Sequence, residues 1–269
     1  MRLAYFSPLS PQPSAVSDYS EALLPHLSAG AEIDLFVDGF APSCRDVRER
    51  FRILDYRADP ALLGTLGDYH AVVYHVGDDH RYHAGIYAAA RAFPGVVVLH
   101  DFSLQAFFLG LARERGDADI YLDEVGACHG ARARARAARA LDSGSVPSLY
   151  ARAAEFPLNC RLVREAEGVI VHTEWGRESL ARIAPATPCA LIDTRAAPAA
   201  GKAAAGYLAF LREVAAQRER RRFVRGVADE LARCGFRESD DALLRGVAAE
   251  LARVAPARFS GGKREAGEQ

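Results

Sequence analysis

The chain is short of several things, and each shortage excludes something. Lysine occurs only at 202 and 263, so its positive charge is nearly all arginine, and the formal net charge is −1. Nothing in that balance favours a nucleic acid as partner. The five cysteines, Cys44, Cys128, Cys160, Cys189 and Cys234, are scattered and never form a C-x-x-C pair. They read as reduced, mostly buried thiols of a cytoplasmic protein, with neither a metal site nor a disulfide framework. No run approaches the ~18 apolar residues of a membrane helix, which leaves membrane contact peripheral at most. The N-terminus lacks the apolar stretch and small-residue cleavage site of a secretory leader. There is no G-x-G-x-x-G fingerprint for a dinucleotide and no G-x-S-x-G elbow for a hydrolase.

Apolar residues make up 50% of the 269, enough for a sizeable core. Up to about residue 185, short apolar runs alternate with helical patterns, which predicts a parallel, doubly wound α/β sheet. Strands are expected near Leu3, Ile33, Val72, Val97 and Val169. The runs AVVYHV (71–76) and VVVL (96–99) are apolar throughout, as strands covered on both faces require. The stretch 44–55 is ambiguous. A helix is expected from Ser17 or Asp18 to about Ser28, with Glu21 closing a capping box on Asp18. Residues 186–205, rich in Ala and Pro, read as a junction. A long amphipathic helix follows over 206–234, with Leu208, Leu211, Val214 and Ala215 on one stripe, and another over 239–254. The segment RGVADELAR (225–233) returns as RGVAAELAR (245–253), too few copies for a solenoid. The end, 257–269, reads as disordered.

In an open parallel sheet, ligands bind beyond the C-terminal ends of the strands. Three segments fall there. The first is the Pro-rich loop 7–20, in which Ser14, Ala15, Val16 and Asp18 stand where a helix N-terminus offers N–H groups to oxygen ligands; an ordinary capped turn is the alternative. The second is 74–83, with His75, Asp78 and His83, whose spacing fits hydroxyl-binding or helix capping better than a metal. The third is His100-Asp101. There His100 contacts a substrate or merely packs, and Asp101 caps the next helix. Arg132, Arg136 and Arg139 share a helical face that reads as solvated.

Taken in order, the 8–20 loop, HVGDDHRYHAGIY (75–87), PGVVVLHD (94–101) and GVIVHTEWGRESL (168–180) resemble the N-terminal domain of family 4, the retaining GT-B glycosyltransferases. The resemblance covers about residues 1–185. It implies half of a GT-B fold: a Rossmann-like acceptor domain, normally facing a second such domain that binds a nucleotide-sugar. It implies that His100 contacts the transferred sugar and that loop 14–18 approaches acceptor and donor phosphates. No cofactor is implied, since the nucleotide-sugar is a substrate. Implied partners are a glycan or lipid-linked acceptor and either a second copy of the chain or a subunit supplying the donor domain. The chain departs from the family at Ala15, where a glycine is usual. It departs again at Leu104-Gln105-Ala106, and beyond 185, where no second βαβ series and no E-x(7)-E motif set in a Rossmann domain appears. An acceptor domain fused directly to a C-terminal helical tail is the simplest account. A binding or assembly module without catalysis is the alternative.

Overall fold

The computed structural model describes residues 1–144, 156–193 and 199–233, the last of these as backbone alone from 220 onward. The expected helix over 239–254, the second copy of the nonamer and the 257–269 tail lie outside the described residues.

Seven parallel strands form one sheet in the order β3-β2-β1-β4-β5-β6-β7. They are β1 (Arg2–Phe6), β2 (Glu32–Val37), β3 (Arg52–Asp55), β4 (Ala71–Val76), β5 (Val96–Leu99), β6 (Gly168–Val171) and β7 (Cys189–Leu191). The chain starts in the middle, steps outward to β3, then returns past β1 and proceeds to β7. The reversal falls between β1 and β4, where Leu3 pairs with Ala71 and Phe6 with Tyr74. A crevice therefore opens beyond the C-terminal ends of these two strands. The helices are α1 (Ala15–Leu27), α2 (Arg45–Arg50), α3 (His80–Ala92), α4 (Gln105–Arg115), α5 (Asp119–Asp142), α6 (Cys160–Glu165), α7 (Glu174–Ile183) and α8 (Ala199–Arg233).

Side chains alternate along each strand, so every central strand feeds two cores. Phe6, Tyr74, Val97 and Val169 face the layer holding Ile86 of α3, Phe107 and Phe108 of α4 and Tyr121 of α5. Tyr5, Val73, Val98 and Ile170 face the opposite layer, built from Leu23, Leu24 and Leu27 of α1 and from Tyr207, Leu208, Phe210, Leu211 and Val214 of α8. The helical stripe read from sequence thus covers one face of the sheet together with α1. Gly168 permits this: a Cβ there would lie 2.8 Å from the Phe210 ring.

Several expectations need correction. Cys128 and Cys160 are joined by a disulfide, so these two are not free thiols. Cys44 and Cys189 are free and partly exposed. The stretch taken as a 186–205 junction contains β7 and the start of α8, and the first compact unit runs from Met1 to Arg218. The cap of α1 is Ser14, whose hydroxyl accepts from Val16 N–H at 3.2 Å. Glu21 closes no capping box; its carboxylate accepts from Ser10 N–H at 2.7 Å.

On β2, Asp34 is buried and accepts from Tyr69 hydroxyl and from the Arg2 guanidinium, both at 2.6 Å. Replacing Asp34 with Ala leaves the buried Tyr69 hydroxyl without its acceptor, at an expected cost of about 1–3 kcal/mol. Urea denaturation of the variant measures this, and an unchanged midpoint would show that the network contributes nothing.

Candidate functional site

Four histidines gather at the C-terminal ends of neighbouring strands. His75 belongs to β4, His100 follows β5, His172 follows β6, and His83 sits in the first turn of α3. His75 is fully buried, and its Nδ1 lies 2.9 Å from His100 Nε2. His83 Nδ1 is 3.0 Å from the His75 carbonyl, and His172 Nδ1 is 2.9 Å from the Ile192 carbonyl. Carbonyls only accept, so His83 and His172 carry their protons on Nδ1. His75 Nε2 and His172 Nε2 are buried with no hydrogen-bond partner. A buried bare lone pair is better tolerated than a buried bare N–H, which assigns the His75 proton to Nδ1, where it is donated to His100. His100 then carries its own proton on Nδ1, free to donate outward.

All four rings are pushed toward the neutral form. His75 is pushed well below the ordinary histidine value, first by burial and then by repulsion from His100, His172 and His83. His100 is likewise lowered by burial and by its neighbours His172 and His83, and burial lowers His83 and His172.

Tyr19 of α1 joins the cluster, its ring centroid 5.0 Å from that of His100 and 5.6 Å from that of His172. Its hydroxyl is 2.9 Å from that of Tyr207, and the Tyr207 ring lies parallel to His75. Helix α8 thus reaches the back of the site. Sequence reasoning missed Tyr19, His172 and Tyr207. His172 had a readable signal, since it stands just past β6 as His100 stands just past β5. Tyr207 had none, because only the packing of α8 brings it there.

The rim is acidic. Asp101 accepts from Asp78 N–H at 3.1 Å rather than capping α4, which begins after Leu104 with no side-chain cap. Burial, with Asp101 and Asp79 nearby, raises the Asp78 carboxyl. Asp79, not singled out from sequence, caps α3 and pairs with Arg81. Gly77 lets this turn close: a Cβ there would meet His83 Nε2 at 2.9 Å.

Loop 7–14 is tied down from within. Ser17 hydroxyl donates to Gln12 carbonyl at 3.0 Å, and Ser7 and Ser20 hydroxyls lie 2.7 Å apart. Val16 is buried and its N–H is taken by Ser14, while Ala15 and Asp18 are exposed. The sequence candidates therefore divide. His75, His83, His100, Asp78 and Asp101 converge, whereas Ser14 and Val16 serve the loop's own structure. Arg132, Arg136 and Arg139 are exposed on α5, apart from this cluster. A separate groove of about 380 Å³, lined by Val37, Phe40, Arg48, Ile53 and Asp55, lies at the ends of β2 and β3 and shares no residue with the histidines.

Among the described residues no helix is long and apolar enough to cross a membrane. No family model matches the chain, and no curated protein matches it. Among solved structures it is similar to a chain of sucrose-phosphate synthase from Thermosynechococcus elongatus, at 12% identity and a TM-score of 0.41, over 80% of this chain and 99% of that one. An overlap this loose fixes neither a family nor an activity.

Proposed function

We propose that this chain is a glycosyltransferase-like protein that receives a hydroxylated acceptor, a glycan or lipid-linked sugar, in the crevice between β1 and β4. The supporting observation is the neutral histidine cluster at the strand ends beside the reversal of strand order. A neutral His100 with its proton on Nδ1 donates to a sugar hydroxyl without adding a charge to the site. Asp78 and Asp101 at the rim accept from hydroxyls, as polyol recognition requires.

The donor nucleotide-sugar needs more than this. Departure of its diphosphate calls for cations or aimed N–H groups, and the rim offers carboxylates. Only residues 192–198 separate β7 from α8, too few for a second Rossmann-like domain. In this reading a second chain supplies the donor half, and transfer by the lone chain is slow. The same observation favours a second reading, an acceptor-binding module without catalysis.

Calorimetry on wild type and His100→Ala tests the site. Truncation leaves His75 Nδ1 unpartnered, so a loss of about 1–3 kcal/mol in stability is expected with the fold retained. Acceptor affinity per folded molecule should fall at least tenfold, or ~1.4 kcal/mol, and nucleotide-sugars should bind the wild type only weakly. Unchanged acceptor affinity in a folded His100→Ala protein would make the residue structural. Submicromolar binding of a nucleotide-sugar to the lone chain would show that no donor half is missing.

A further inference from the structure

The Cys128–Cys160 bridge joins two helices across 32 residues of chain. Cys128 lies one turn after Glu124 on α5, just ahead of Gly130, where φ is +82° and the helix kinks. Cys160 is the first residue of α6. Glu124 is only 3% exposed. Its Oε1 lies 3.5 Å from Cys128 Sγ, and its Oε2 lies 3.3 Å from the Arg161 guanidinium. A buried carboxylate is costly unless paired, and a bridged sulfur has no proton to offer it. A thiol does. Burial also strengthens the hold of Glu124 on a proton. Cys128 is partly exposed and open to a small thiol, whereas Cys160 is buried.

The bridge has a short path to the crevice. Asn159, next to Cys160, is fully buried and donates from Nδ2 to the Phe102 carbonyl at 2.6 Å. Pro157 carbonyl accepts from Leu104 N–H at 2.7 Å. Leu158 between them holds φ at +51°, a left-handed conformation unusual for a branched side chain. The Phe102 ring meets Trp175 edge to face, with centroids 5.0 Å apart. Phe102 is two residues beyond His100. Trp175 is the chain's single tryptophan and is 50% exposed.

We propose that Cys128 and Cys160 are a reversible dithiol–disulfide pair, exchanged with small-molecule thiols and disulfides, with Glu124 carrying the proton, and that the state of the pair sets the placement of Phe102 and Trp175 at the crevice. In oxidation the Glu124 carboxylate takes the Cys128 thiol proton. The Cys128 thiolate attacks one sulfur of a small disulfide and expels one small thiolate, which takes up that proton. Cys160 then loses its proton, attacks Cys128 Sγ in the mixed disulfide and expels the second small thiol. Two electrons pass from the two cysteines to the small disulfide, and both protons leave on its two thiols. A dithiol reverses the steps, attacking the more exposed Cys128 first.

The full chain is equilibrated in mixtures of reduced and oxidised glutathione and quenched with a maleimide. Its free thiols are counted by mass while Trp175 emission is recorded. Two of the five thiols should disappear together, and the emission should change with the same midpoint. Glu124→Gln should reach the same midpoint about tenfold more slowly at neutral pH, because the Cys128 thiol has lost its proton acceptor. Cys128→Ser and Cys160→Ser should show no change in emission. Cys128 is only partly buried, so its variant keeps the test open if Cys160→Ser fails to fold. Five reactive thiols at every ratio would overturn the proposal, as would a bridge that resists a dithiol until the chain unfolds. A bridge that forms without altering the emission, or an emission change that persists in Cys128→Ser, would overturn the link to Phe102 and Trp175. Unchanged exchange kinetics in Glu124→Gln would remove Glu124 from the reaction. None of these outcomes depends on whether the crevice binds a sugar.

Discussion

Stability should fall by up to about 4 kcal/mol between pH 6.5 and 5.5. The cause is the histidine cluster. A histidine whose folded-state affinity for protons is depressed contributes stability that is complete above its ordinary value of 6.5 and is lost as the pH drops below it. Each ring that stays neutral in the fold loses about 1 kcal/mol over that unit, because the unfolded imidazole is already half charged at 6.5. His75 and His100, pushed furthest down, supply about half of the figure, and His83 and His172 bring it toward the upper bound. Asp78 and Glu124 act with the opposite sign, since a raised carboxyl favours the fold at low pH. Two carboxyls against four imidazoles soften the slope without reversing it. Against a total of ~5–15 kcal/mol, the effect is large. Urea midpoints at pH 7.5, 6.5 and 5.5 measure it, with His75→Gln expected to flatten the profile. Equal midpoints at 6.5 and 5.5 would mean that the rings protonate freely in the folded chain.

A chain ending at 193 should not fold to a soluble monomer, whereas one ending at 218 should. Helix α8 supplies Tyr207, Leu208, Phe210, Leu211 and Val214 to one of the two cores, against β1, β4, β5 and β6. Without it the central face of the sheet stands open, an apolar surface far larger than soluble monomers tolerate. Arg218 also pairs with Glu167 at 3.3 Å. A point substitution gives the graded version: Leu211→Ala, at a fully buried position, should cost about 2–5 kcal/mol. Size-exclusion chromatography and circular dichroism decide the truncations. A monodisperse, cooperatively unfolding 1–193 chain would show that α8 is an accessory rather than a wall of the core.

Much of this architecture was legible because the central strands are buried on both faces. Such strands must be largely apolar, and 96–99, 168–171 and 71–76 apart from His75 are. The edge strands do not share that constraint. β3, with Arg52 and Asp55 at its ends, and the three-residue β7 carry little apolar signal, and both escaped the sequence reading. The site divided in a similar way. His75, His83, His100, Asp78 and Asp101 were locatable because strand ends define the crevice. Tyr19 and Tyr207 depend on how two helices pack, which local pattern does not encode. The Cys128–Cys160 pairing was hidden for the same reason: spacing along the chain says nothing about which helix faces meet.

The dependence of the second core on α8 also sets an order in time. Tyr19 and Tyr207 touch across 188 residues, and Leu3 shares a core with Val214. Contacts of such long sequence separation slow folding. During synthesis, at ~5–20 residues per second, the nascent chain waits many seconds with β1 already made and one face of its sheet uncovered. Over that interval a holding chaperone has a ready binding surface, and α8 displaces it once it emerges.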